Sequence, residues 1–316
     1  MKTNRPLFLN EEQVRQHLRM VDLIPAMEKA LIDFSAGNVT QPVRSVIKID
    51  PPGGFLGLMP ARAEGLGVKI VTFYPSNAER GIPTHVATIF LVDPETGAPI
   101  AVMDGRLITE MRTAAVSAVA TKLLASPDSH VLAILGSGVQ ARSHVEALKL
   151  VRRFEEIRVW SRTPAHAEQF AGEIGAEAMP AEAAVRDADV VVTVTNSKTP
   201  VLTGSWLKSG CHVNAVGACR PDWRELDDEA MQNIVFVDSR EAAMKESGDV
   251  ILSHAKIHAE LGEALAGKVP PRASETTIFK SLGMAVEDIA AALLVYRSAK
   301  NNRERKQSGN NSDMKN

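Results

Sequence analysis

The segment 130–163 constrains this chain more than any other, because it spells a strand, a glycine turn, a helix and a second strand in close succession. Residues 131–135 (Val-Leu-Ala-Ile-Leu) form an unbroken apolar run, the pattern of a strand covered on both faces. Gly136-Ser-Gly138-Val-Gln-Ala141 follows, then a helix-compatible stretch and a short strand at 157–160. Glycines allow a tight turn and close backbone approach, and a helix N-terminus offers N–H groups to an anion. Gly136, Ser137, Gly138, Val139 and Gln140 therefore read as a pyrophosphate cradle. The second strand ends in Ser161-Arg162-Thr163, where an NAD-binding fold usually places an acid for the ribose 2′-hydroxyl. A carboxylate repels a 2′-phosphate and an arginine pairs with it, so this loop predicts NADPH. The hexapeptide alone also occurs in ordinary Gly-rich turns; its flanking strands and helix make it a nucleotide site.

At 316 residues the chain can bury two cores. A net charge of −2 gives no general pull toward nucleic acid or an anionic membrane. No apolar run is long enough to span a bilayer, and the first six residues do not read as a secretory signal. Cys211 and Cys219 suggest neither a disulfide framework nor a metal site, and His and Cys never cluster at ligand spacing. No metal and a cytoplasmic setting are expected.

Residues 10–36 predict a helix capped by Asn10, ended by Gly37 and split near Asp22 by Pro25. Runs at 43–50, 55–59, 67–74, 86–92 and 99–103, separated by Pro/Gly turns, predict a mainly antiparallel sheet. A helix of small residues over about 109–125 leads into strands at 131–135, 157–160, 190–195, 212–216 and 234–237. Their alternation with helices is that of a parallel, doubly wound α/β sheet. A last helix is predicted over 282–299, and the polar tail beyond Asn301 is expected to be disordered.

Three cations stand out in the first part: Arg44 at a strand start, Lys69 inside an apolar strand, and Arg112 among small residues. Each alone also reads as a solvated strand residue, an outward position or a helix surface charge. Together they suggest a carboxylate pocket. Thr84-His85 could approach a nicotinamide, or His85 could be structural. Asp222, Glu225, Asp227 and Asp228 read as a loop and helix cap, and Cys219 has no base nearby in sequence.

With these segments placed, the chain resembles the ornithine cyclodeaminase/mu-crystallin family over Phe8 to Tyr296, and within it the NADPH-dependent ketimine reductase branch. The resemblance rests on Gln41-Pro-Val-Arg44, residues 66–74, 101–105 and 112–118, and the long run Asn214 to Asp228. Residues 243–249 and 279–288 complete it. It implies a Rossmann NADP-binding domain over 116–285 and an α+β substrate/dimerisation domain from 1–115 and 286–300, with 301–316 as a tail. It also implies a homodimer. By similarity, Arg44, Lys69 and Arg112 hold the substrate carboxylate, with Lys69 and Arg112 the catalytic pair, and Glu246 lies near the substrate or hormone pocket. Thr84, His85, Arg112, Gly136, Ser137, Gly138, Val139, Gln140, Ser161, Arg162, Thr163, Thr195, Val216 and Ser281 match cofactor-contact positions.

Departures from the cyclodeaminase branch point to the chemistry. That branch resembles this chain but carries an acid where Cys219, Gly57 and Ser161 stand. A free diamine would lose its partners, which disfavours ornithine cyclisation. The expected reaction is NADPH-dependent reduction of cyclic ketimine carboxylates (Δ1-piperideine-2-carboxylate, Δ1-pyrroline-2-carboxylate and sulfur analogues). Such a reaction needs no strong general base. The alternatives are a thyroid-hormone-binding or crystallin-type protein, and a reductive aminase of 2-keto acids or alanine dehydrogenase-like enzyme.

Overall fold

The computed structural model describes residues 5–51, 53–272 and 274–313, less the side chains of 78 and 306–313. The chain divides into two compact units. One gathers Met1–Ala26, Val39–Thr109 and Ala285–Asn316; the other gathers Met27–Asn38 and Glu110–Met284. The division differs from the expected boundaries at 115 and 286 by a few residues. It also assigns 27–38, in the first helical hairpin, to the second unit.

The chain opens with β1 (Leu7–Leu9), α1 (Glu11–His17) and α2 (Met20–Ser35). Five strands follow: β2 (Ser45–Ile49), β3 (Gly54–Arg62), β4 (Leu66–Phe73), β5 (His85–Val92) and β6 (Pro99–Asp104). They form one sheet in the order β1-β6-β5-β4-β3-β2, antiparallel except for β1 beside β6. The helix break differs from expectation. Asn10 and Gln13 close a reciprocal capping box, and α1 stops at Leu18, whose extended backbone and buried side chain set the break there. Pro25 lies inside α2 instead. It removes a donor only from the carbonyl four residues back, on Val21, which is exposed to water.

Next comes α3 (Arg106–Leu124), followed by β7 (Val131–Leu135), α4 (Val139–Lys149), β8 (Glu156–Trp160) and α5 (Pro164–Ile174). Then come β9 (Glu177–Ala178), α6 (Ala181–Val185), β10 (Val190–Thr193), β11 (His212–Ala215) and β12 (Ile234–Val237). After these stand α7 (Arg240–Glu246), α8 (Gly248–Ser253), β13 (Ile257–Glu260), α9 (Leu261–Leu265), β14 (Thr277–Lys280) and α10 (Ala285–Asp313). The strands β7 to β14 form an all-parallel sheet, ordered β13-β12-β14-β11-β10-β7-β8-β9. Chain order reverses between β7 and β10, the crevice where open α/β sheets bind ligands. β14 escapes pattern reading because a fully buried lysine, Lys280, ends it. The expected disorder past Asn301 is replaced over 301–313 by the continuation of α10; residues 314–316 lie outside the described residues.

In the second unit a buried histidine ties two helices. His144, on α4, donates from Nδ1 to the Gln140 carbonyl at 2.7 Å, so its Nε2 accepts from Ser117 Oγ of α3 at 2.9 Å. Burial pushes the His144 pKa down from 6.5 to about 4 and that of His212, on β11, to about 3. Below pH 6.5 the unfolded chain takes up protons that the native fold refuses, so stability falls as pH drops toward 4. Each histidine contributes up to ~1.4 kcal/mol per pH unit in that window. Thermal melts of wild type and His144→Asn between pH 7.5 and 4.5 check this. The substitution is expected to flatten the acid slope, and parallel slopes would rule out the histidine's part.

Candidate active site

In the parallel-sheet unit the cradle lies at the sheet's crevice. Gly136 has φ of 136°, and a Cβ there would stand 2.8 Å from the Val194 carbonyl, so only glycine lets the loop after β7 run against the end of β10. Gly138 is the N-cap of α4 and contributes no side-chain cap, and a Cβ on it would meet nothing within 4 Å. The first N–H groups of α4, from Val139 and Gln140, lack partners within the helix, and a helix N-terminus of this kind favours an anion. Gln140 Oε1 and Ser281 Oγ are buried oxygens without a hydrogen-bond partner among the described residues. Buried polar atoms of this kind call for one. Together with the open Gly138 face, they fit a polar ligand such as a dinucleotide.

The loop after β8 joins this cradle through Ser137 Oγ, which donates to Ser161 Oγ at 3.0 Å. Arg162 is exposed and has no ion-pair partner among the described residues. Thr163 is the N-cap of α5, again without a side-chain cap bond, and Pro164 takes the first helical position. A guanidinium, two hydroxyls and a helix N-terminus converge on one loop, a donor set suited to a phosphate. Farther along the crevice, Thr195 Oγ1 donates to Glu225 Oε1 at 2.6 Å, and Val216 and Ser281 are buried at the ends of β11 and β14.

Arg112, on α3, is buried, so the surface-charge reading of it fails. Its guanidinium lies against Gly283, whose φ is +78° and where a Cβ would collide with it. Glu246 ends α7 and is half-buried. Cys219 is exposed and follows Ala218, which holds the left-handed φ of 54°.

In the other unit the decisive group is Lys69 of β4. It is 2% exposed, and its Nζ lies 2.6 Å from Asp288 Oδ2, on α10, itself fully buried. The outward-facing reading of Lys69 therefore fails as well. Asp288 was missed by sequence reading: it stands in the first turn of a helix, where an acid is ordinary. The signal was the lone lysine in an apolar strand, which required an anion. Gln41 accepts the Val286 N–H at 2.9 Å and so caps α10 just before Asp288, and half-buried Arg44 lies three residues on. His85 starts β5 with its ring 4.4 Å from that of Phe73, exposed, beside Thr84 Oγ1 at 3.3 Å. Gly57 sits on β3, where a Cβ would press on Val71 Cγ1 at 3.1 Å, so a side chain there would require that valine to give by a few tenths of an ångström. Among the described residues no group of three or more His, Cys, Asp or Glu could hold a metal, and no helix is long and apolar enough to cross a membrane.

Loss of one partner from a buried ion pair costs about 3–5 kcal/mol, and replacement of both by apolar groups costs far less. Chemical denaturation should therefore show Asp288→Asn and Lys69→Met each destabilised by ~3–5 kcal/mol. The double variant Lys69→Met/Asp288→Leu should recover most of the loss. Additive losses in the double variant would show that the pair is not coupled.

Residues 4–303 match the model of the ornithine cyclodeaminase/mu-crystallin family. The chain is 53% identical over 304 residues to ketimine reductase mu-crystallin of Mus musculus, covering 93% of this chain and 97% of that protein. Among solved structures it is similar to Thermococcus litoralis Δ1-pyrroline-2-carboxylate reductase in complex with NADH and L-proline. The TM-score is 0.90 at 37% identity, covering 94% of this chain and 98% of that one. An archaeal alanine dehydrogenase dimer with bound NAD gives a TM-score of 0.90 at 34% identity, covering 94% and 97%.

Proposed function

The chain belongs to the ornithine cyclodeaminase/mu-crystallin family, and on that premise we propose that it reduces cyclic ketimine carboxylates to cyclic L-amino acids with NADPH. The observation that carries this reading is the charge pattern of the site residues. Two cations, Lys69 and Arg112, are buried, and the resemblance implies that Gly57, Ser161 and Cys219 stand where the cyclodeaminase branch carries acids. A planar ring bearing one carboxylate and a C=N group asks for cations and for no second carboxylate to hold a free amine. The relatives named for ketimine and pyrroline carboxylate reduction support the same substrate class.

In this reading Arg44, Lys69 and Arg112 bind the carboxylate, arginine through its bidentate fork. Asp288 fixes the direction of the Lys69 ammonium, which bears on catalysis because transfer distances of about 3–3.5 Å demand a substrate that does not rotate. Glu246 borders the substrate. Thr84, His85, Thr195, Val216 and Ser281 border the nicotinamide half, and Ser137, Gly138, Val139 and Gln140 take the pyrophosphate. A reduced nicotinamide, when bound, supplies hydride to the electrophilic carbon of the C=N group. Ser161, Arg162 and Thr163 take the 2′-phosphate, so NADPH is the cofactor over NADH.

The partner of the first unit's sheet is a second copy of this chain. Phe8, Ile47, Ile70 and Val86 are exposed on one face of that sheet, with Val68, Phe90 and Val102 half-buried among them in register. An apolar sheet face of this extent is more than a monomer usually leaves in water. Sedimentation should give a dimer for wild type and a monomer for Ile47→Glu/Ile70→Glu; a wild-type monomer would contradict the reading.

The activity is tested by NADPH oxidation with Δ1-piperideine-2-carboxylate and Δ1-pyrroline-2-carboxylate, beside pyruvate with ammonia. The keto-acid arm addresses reductive amination, the reading that the alanine dehydrogenase likeness favours. Triiodothyronine is added as a competitor, because it too carries an amino-acid carboxylate. Turnover of the cyclic imines is expected, and none across pH 5–8 would sink the proposal. Arg162→Ala should narrow the NADPH-over-NADH ratio of kcat/KM by roughly tenfold or more, the worth of one charge-assisted hydrogen bond. An unchanged ratio would remove Arg162 from the phosphate site.

A further inference from the structure

Glu225 reads in sequence as part of an acidic loop, yet it is fully buried and its carboxyl group is bonded on both oxygens. Oε2 accepts from Thr193 Oγ1 at 2.8 Å; Oε1 accepts from both the backbone N–H and Oγ1 of Thr195, each at 2.6 Å. Its neighbours complete a closed set. The Lys280 ammonium, at the end of β14, pairs with Asp249 at 2.9 Å and bonds the Gly217 carbonyl. Asp249 in turn accepts the backbone N–H groups of Glu225 at 2.7 Å and Leu226 at 3.0 Å. Burial pushes the Glu225 acid up, and the Lys280 charge pulls it back. This cluster occupies the C-terminal edge of β10, β11 and β14, the side of a parallel sheet on which ligands bind.

The consequence falls on Thr195. A hydroxyl has one proton and two lone pairs. The Thr195 proton is committed to Glu225, and one lone pair already accepts the Ser197 N–H at 3.1 Å. Thr195 is only partly buried, and all it can still offer a ligand at Oγ1 is a single acceptor site. We propose that Glu225 is a positioning residue that locks Thr195 as an acceptor, so that this edge of the sheet recognises an N–H donor of the ligand. On the proposed dinucleotide reading, that donor is the carboxamide NH2 of the nicotinamide.

The proposal rests on that reading and is tested by binding rather than turnover. Affinities are measured by fluorescence titration for NADPH and for its reduced 3-acetylpyridine analogue, in which a methyl group replaces the amide NH2. Wild type should bind NADPH roughly three- to tenfold tighter, the worth of one hydrogen bond. Glu225→Leu removes both acceptor oxygens, frees the Thr195 proton to turn outward and should erase the preference. Thr195→Val should erase it too, whereas Thr195→Ser should keep it. This pair decides the matter should Glu225→Leu not fold. A preference unchanged in Glu225→Leu and Thr195→Val, or absent from wild type that still binds NADPH, overturns the proposal and leaves the cofactor reading intact. Wild type that binds neither dinucleotide overturns both.

Discussion

Burying an ammonium group costs several kcal/mol unless an anion meets it inside, and among the described residues this protein does so twice. Lys69 and Lys280 are each 2% exposed or less; Lys69 pairs with Asp288 and Lys280 with Asp249. The first pair joins β4 to α10 and so ties the N-terminal third of the chain to its C-terminal helix within one unit. The second joins β14 to α8 and fixes the edge of the parallel sheet. An ion pair of this kind adds little net stability over an apolar substitute, yet losing one partner is costly. Such pairs persist where the charge itself is used. On the proposed reading Lys69 is oriented for a substrate carboxylate, and Lys280 orders the residues that hold Thr195.

The glycine turn works by the same economy of space. Gly136 runs against Val194, and Gly138 opens onto nothing, so one loop is packed from behind and free in front. Helix α4 then presents uncapped N–H groups, and α5 presents a second such end beside Arg162. Two helix N-termini and one guanidinium give this edge of the sheet a donor set suited to phosphates.

Much of this was legible in the sequence, for identifiable reasons. The strand–turn–helix at 131–149 and the antiparallel strands of the first unit follow from apolar runs and turn residues, and the structure departs only at their ends. What escaped were the elements whose signal is masked. β14 was hidden by its buried lysine and β1 by its three-residue length. The break between α1 and α2 was misplaced because proline is a strong local signal and the burial of Leu18 is not a local one. The cations Lys69 and Arg112 were legible as unusual, but their burial was not. Their partners in the fold, Asp288 and Gly283, lie more than 150 residues away in sequence. Glu225 was misread as a cap because its neighbours in sequence are acidic, while its partners Thr193, Thr195 and Asp249 come from elsewhere in the fold.

The central claim is that a reduced nicotinamide passes its hydride to the ring carbon of a cyclic ketimine carboxylate. Mass spectrometry of the amino acid formed from Δ1-piperideine-2-carboxylate with each C4-deuterated epimer of NADPH tests it most directly. One epimer is expected to place a single deuterium at C2 of the product and the other none. Product carrying no deuterium from either epimer, or equal label from both, would contradict the account.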